Sequence, residues 1–128
     1  MDRFDTLLSE MDLEFFGTSS HAVSAEAAVK MIGQKDVFFL DVRSGEETSQ
    51  IAFPFAVNIP VNEIPGRLEE LPADKLIVVI CSSVFRAAMV YAYLRYKGFE
   101  QVKGLAAGLE QMVTFIKPGP VFKRMQKA

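Results

Sequence analysis

The run Leu76-Ile77-Val78-Val79-Ile80 constrains this chain more than any other five residues. It is continuous rather than alternating in polarity, and all but Leu76 are β-branched. A strand of that kind has no face to offer solvent, so it belongs at the centre of a parallel sheet covered on both sides. Val37-Phe38-Phe39-Leu40 is a second short apolar run, and Val57-Asn58-Ile59-Pro60 fits a third strand ending at proline. Gln101-Val102-Lys103 fits another. Helical patterns lie between them. Ser24 can cap a helix with Ala25, Ala28, Val29 and Ile32 on one face before Gly33. Ser44 to Gln50 suits a short helix or turn, and residues 63–71 place Ile64, Leu68 and Leu71 on one side of a helix. Ala87 to Lys97 form a nearly all-apolar helix stopped by Gly98, and Ala106 to Ile116 a last helix that Pro118-Gly119-Pro120 breaks. Strands alternating with helices in this way define an α/β fold of three layers, a central, mostly parallel sheet with helices on both faces.

Two segments lie outside that alternation. Residues 2–16 place Phe4, Leu7, Leu8, Met11 and Phe15 at helical spacing among Asp2, Asp5, Glu10, Asp12 and Glu14, with Gly17 as the stop. This reads as one amphipathic helix lying on its own domain or on a partner, the first being favoured. Lys117, Lys123, Arg124 and Lys127 follow the last helix, with no acid after Glu110, and are expected to solvate as a basic tail. The expected division is therefore an N-terminal extension over 1–17, the α/β domain over 18–116 and the tail over 117–128.

Composition narrows the function classes. Half of the 128 residues are hydrophobic and 23% are charged, enough for a core and too apolar for disorder. The net charge of −2 lacks the basic excess of a nucleic-acid binder. No run approaches the roughly 18 apolar residues that span a bilayer, so no membrane partner is expected. Met1-Asp2-Arg3-Phe4-Asp5 carries acids where a signal peptide needs positive charge, which gives a cytoplasmic location as the expectation. One cysteine and one histidine exclude a disulfide within the chain, a Cys/His zinc cluster and a thiolate-held iron–sulfur site. No metal or organic cofactor is expected, and oligomeric state is left open.

Cys81 directly follows the central strand, and Ser82-Ser83-Val84-Phe85 lead to Arg86 at the start of a helix. Ligands of open α/β sheets bind beyond the carboxyl ends of strands, at such turns. Loop and first-turn amides can converge on an anion there, and the helix N-terminus favours the thiolate, the nucleophilic form. Arg86 adds a permanent charge that can neutralise an oxyanion or guide an anion inward. A buried, inert cysteine explains the thiol alone but not its placement. His21 lies far along the chain before the second helix and reads as a surface or strand-edge residue. Most phenylalanines read as core; Phe53, Phe55 and Phe85 would form an apolar rim if they met near the loop.

Phe38-Phe39-Leu40-Asp41-Val42-Arg43, then Val57-Asn58-Ile59-Pro60, then Ile77-Val78-Val79-Ile80-Cys81 with Arg86 resembles a single-domain rhodanese over roughly residues 20–116. That family has an "LDVR"-type strand end, an "NIP" segment and a Cys-x-x-x-x-Arg loop in this order. The resemblance implies a rhodanese-like fold and sulfur transfer: Cys81 takes a sulfane sulfur from a donor such as thiosulfate, holds it as a persulfide, and yields it to cyanide or a thiol. It implies that Ser82, Ser83, Val84, Phe85 and Arg86 bind substrate, while Asp41 and Arg43 shape the site as an ion pair. Cysteine phosphatases place five residues between cysteine and arginine; four intervene here, which favours a sulfur anion over phosphate.

The match departs from the family at four places. Val84 replaces a usual glycine, which would be strained if the loop required a positive φ there. Phe85 stands where thiosulfate-using members are often basic, implying weak capture of free thiosulfate and a bulkier or protein-bound donor. Gln50-Ile51-Ala52-Phe53-Pro54-Phe55-Ala56 replaces a His-Ile-x-Gly-Ala segment, and Met112 a frequent tryptophan. Two function classes follow, a persulfide-forming enzyme or a sulfur-carrying or protein-binding module, with a phosphatase behind both.

Overall fold

The computed structural model describes residues 1–126. Its elements are α1 (Arg3–Ser9), α2 (Leu13–Gly17), β1 (Ala22–Val23), α3 (Ala25–Lys30), β2 (Val37–Asp41), α4 (Gly45–Gln50) and β3 (Ala56–Asn58). Two 3₁₀ turns, Val61–Gly66 and Leu68–Glu70, precede β4 (Leu76–Ile80), α5 (Phe85–Tyr96), β5 (Val102–Leu105), α6 (Leu109–Thr114) and α7 (Pro118–Gln126). The strands form one sheet in the order β1-β5-β4-β2-β3, and every neighbouring pair is parallel. The sheet is thus wholly parallel, and it includes a two-residue edge strand, β1, that no local pattern announces.

β4 sits in the middle, as its unbroken apolar run requires, and Ile77 to Ile80 are fully buried. Alternate side chains feed two cores. Ile77, Val79 and Cys81 pack with Leu40, Val90 and Leu94 on the α5 side, whereas Val78 and Ile80 pack with Phe39, Ala28 and Met112 on the α3 and α6 side. Each such aliphatic burial contributes about 1.5–3 kcal/mol relative to exposure. α1 and α2 lie over the α5 face: Leu7 is buried, Met11 and Phe15 join that core, and the Phe4 ring meets Tyr96 edge-on at 6.1 Å.

Four local expectations change. The stretch 2–16 makes two helices because the Asp12 carboxylate accepts from the Phe15 amide at 2.9 Å, which starts a new helix instead of continuing the old one. Residues 63–71 form 3₁₀ turns, since Pro65 removes a donor that an α-helix would need. The last expected helix begins only at Leu109, because the Ala106 amide is spent on the Val23 carbonyl at 2.9 Å, extending the sheet. The tail is helical: Pro118 opens α7, where a missing N–H costs nothing, and Arg124 donates to the Phe115 carbonyl at 2.6 Å. Lys127 lies outside the described residues.

Candidate functional site

A parallel sheet delivers all its carboxyl ends to one edge, and that edge carries Cys81. The Ile80 carbonyl accepts from Val42, and the Asp41 carbonyl from Ile59, each at 3.0 Å, so β2, β3 and β4 stay in register to the point where the loops begin. Cys81 then turns its side chain into the α5-side core and is fully buried beneath its own loop. Ser82, Ser83, Val84 and Phe85 are exposed, Phe85 by 74%.

The sulfur is held from two sides. The thiol donates to the Ser83 carbonyl, and the Ala87 amide points at Sγ from 3.4 Å. Ala87 belongs to the first turn of α5, whose amides have no partners within the helix. Val84, the residue before that helix, makes no side-chain cap. Cys81 Sγ therefore takes the place of a capping oxygen, and the same amide is the donor nearest any negative charge that the sulfur acquires. Val84 adopts φ −97° and ψ −23°, an ordinary right-handed conformation, so the loop accommodates its β-branch without strain.

Arg86 stands two residues after Val84, in the same first turn of α5. Its Nη1 and Nη2 donate to Glu47 Oε1 and Oε2 at 2.6 and 2.9 Å, and Nη2 also reaches Ser82 Oγ at 2.8 Å. The guanidinium holds the Glu47 carboxyl down to about 2, and Glu47 in turn raises Arg86. Glu47 is fixed independently by a reciprocal cap: its amide donates to Ser44 Oγ at 3.2 Å, and its carboxylate accepts from the Ser44 amide at 2.9 Å. The spacing Ser44-x-x-Glu47 is the signature of such a cap and was the available sequence signal. Nothing local announced that the same carboxylate would meet Arg86.

Asp41 and Arg43 form a buried pair. Arg43 Nε reaches both Asp41 oxygens at 3.1 Å and Nη2 reaches Oδ2 at 2.8 Å, while Nη2 also donates to the Ile51 carbonyl at 2.9 Å. Asn58, which the sequence marked only as part of a strand motif, donates from Nδ2 to the Asp41 and Arg43 carbonyls at 2.9 and 2.8 Å and ties β3 to this turn. Both guanidiniums at this edge are thus matched by a carboxylate.

Phe53, Phe55 and Phe85 divide. Phe53 and Phe55 pack on the α3-side core, 5.5 Å apart, with Phe55 against Phe39 and Phe53 under the Arg43 guanidinium. Phe85 projects to solvent from the first turn of α5. His21 precedes the edge strand β1, which β5 separates from β4; its ring packs against Phe15 and Phe16.

The model for the rhodanese-like domain matches residues 24–114. Over 86 residues the chain is 31% identical to a sulfurtransferase of Allochromatium vinosum, covering 67% of this chain and 80% of that protein. A rhodanese-like domain protein from Staphylococcus aureus superimposes with a TM-score of 0.66 at 25% identity, over 72% of this chain and 90% of that one. A NAD-dependent persulfide reductase from A. fulgidus contains a similar unit, with a TM-score of 0.58 at 30% identity over 84% of this chain and 17% of that one.

Proposed function

The chain belongs to the rhodanese-like domain family, whose sulfurtransferase members support a sulfur-transfer role, and we propose that Cys81 carries the transferred sulfur. The Cys81 thiolate attacks the outer sulfur of a sulfane donor such as thiosulfate. The donor S–S bond breaks, sulfite leaves with the electron pair, and Cys81 becomes a persulfide. An acceptor thiolate or cyanide then attacks the terminal sulfur, and Cys81 departs as thiolate. No electron is gained or lost by the protein over the cycle.

The observation that carries this reading is the Ala87 amide on Sγ, at the mouth of the helix that follows the central strand. Ser82 and Ser83 supply hydroxyls to the persulfide, and Arg86 braces the loop through Ser82 while facing the donor. Val84 and Phe85 form the rim, and Asp41 with Arg43 hold the turn from behind. The ring of four residues between Cys81 and Arg86 is small for a phosphate, which sets phosphatase chemistry behind sulfur transfer.

A second reading is favoured by the burial of Cys81 beneath an exposed apolar loop: a module that receives sulfur from another protein, or binds it, without turning over small anions. Intact mass after incubation with sulfane donors addresses both. A one-sulfur gain, reversed by reductant and missing in Cys81→Ser, is the expected result. Thiocyanate release from thiosulfate and cyanide then identifies the enzyme, and its absence despite the mass gain identifies the carrier. No gain with any donor would overturn the persulfide assignment.

A further inference from the structure

We propose that α7 is a docking face for an anionic bilayer surface, with Phe122 and Met125 entering the acyl boundary and Lys30, Lys117, Lys123 and Arg124 meeting the headgroups. No helix of the described residues is long and apolar enough to cross a membrane. A helix that lies in the interface needs no such run.

The first reason is a helix whose apolar face is left unused. α7 buries none of its residues, yet its orientation is fixed, because Arg124 donates to the Phe115 carbonyl at 2.6 Å. At about 3.6 residues per turn, Pro118, Val121, Phe122 and Met125 share one arc, with Lys123 and Arg124 on its two flanks. Phe122 is 62% and Met125 71% exposed. The arc runs into an apolar crevice of about 640 Å³ between α3 and α7, where Ile32, Ile116, Val121 and Met125 meet and Lys30 and Arg124 are the charged lining.

Charge is the second reason. The chain as a whole carries −2, but residues 117–128 hold four cations and no acid, so residues 1–116 carry −6. Among the described residues no carboxylate pairs with Lys117, Lys123 or Arg124. Glu26 is the acid beside them, lining the neighbouring depression with Lys123 and Arg124, and Lys30 stands 3.9 Å from its carboxylate. The face is therefore positive on a negative protein, the polarity that an anionic surface attracts and orients.

The arrangement favours a bilayer over an acidic protein. Long basic side chains on both flanks of an apolar arc keep their charges at the headgroups while the arc between them sinks. A bilayer supplies charge and hydrocarbon together over the whole face. α7 lies on the α3 side of the sheet, whereas Cys81 turns into the α5-side core.

The test is co-sedimentation of the full chain with vesicles of phosphatidylcholine alone or mixed equally with phosphatidylserine. Partitioning onto the mixed vesicles should exceed that onto phosphatidylcholine by about tenfold or more, and about 0.5 M salt should remove most of the difference. Lys117→Gln with Lys123→Gln, and separately Phe122→Ser with Met125→Ser, should each lower partitioning by roughly tenfold. All four positions are exposed, and unchanged far-UV circular dichroism checks that the fold persists. No binding to mixed vesicles, equal binding to phosphatidylcholine alone, or indifference to either double variant overturns the proposal. Polyglutamate is the control for an acidic protein: binding to it without binding to vesicles assigns the face to such a partner and overturns the bilayer.

Discussion

Replacing Asp41 by alanine tests whether the turn behind Cys81 is held by charge. Asp41 is 2% and Arg43 6% exposed, and the carboxylate takes four bonds from Arg43: two from Nε, one from Nη2 and one from the backbone amide at 3.1 Å. In Asp41→Ala the guanidinium stays buried with its Ile51 contact and no counter-charge. Breaking one side of a buried pair costs about 3–5 kcal/mol, most of it from the stranded ion rather than from the lost attraction. For a chain of this size that lowers the melting temperature by roughly 10–20 °C. Far-UV circular dichroism in urea is the suitable readout, because the chain has no tryptophan. The decisive comparison is Asp41→Leu with Arg43→Met: removing both charges should cost far less than Asp41→Ala alone, since no ion is left behind. A single-variant loss under about 1 kcal/mol, or a double variant as damaged as the single, would refute this account of the pair.

Three other outcomes are expected. Cys81→Ser should abolish all sulfur loading, as read by intact mass, because the chain holds one thiol; a residual gain would place the chemistry elsewhere. The Glu47 carboxyl lies at about 2 against an ordinary 4.5 because of Arg86, so its stabilisation is complete above about pH 4.5 and is lost as pH falls through about 2. The pair is one-third exposed, so solvent screening limits the effect to about 1 kcal/mol. The urea midpoints of native protein and Glu47→Gln should therefore converge between about pH 5.5 and about pH 2, and a gap constant with pH would contradict the pairing. Val84→Gly, at a position with negative φ, should destabilise by about 0.5–1 kcal/mol through chain entropy, and a raised melting temperature would reveal strain that the backbone does not display.

What could be read from the chain divides by range. The apolar run 76–80, the Ser24 cap, the short helix after Ser44 and the stop at Gly98 are written in neighbouring residues and form where the pattern put them, while the Ser24 helix ends at Lys30, short of Ile32 and Gly33. Cys81, its loop and Arg86 are likewise contiguous, so their grouping was visible before any fold. Partners drawn from other elements were not. Glu47 meets Arg86 across 39 positions and Asn58 meets the Arg43 carbonyl across 15, distances that only the strand order closes. β1 was invisible for a related reason: two residues carry no periodicity, and Ala22 and Val23 become a strand because β5 offers them a free edge. The double helix start at Asp12 was misread because helical spacing runs through a capping residue as easily as up to it.

The wholly parallel order is what gathers the candidate site at this edge. β2, β3 and β4 end together, so the Asp41–Arg43 turn, Asn58 and Cys81 arrive at one place without any long side chain reaching for another. An antiparallel neighbour would have sent one of those ends to the opposite side of the sheet. The two helix starts then interlock across the strands: Ser44 and Glu47 begin α4, Glu47 orients Arg86 in the first turn of α5, and Cys81 Sγ accepts from the Ala87 amide in that same turn. The Cys81 sulfur, the amide donor and the charge are therefore fixed by the same bonds that start the helices.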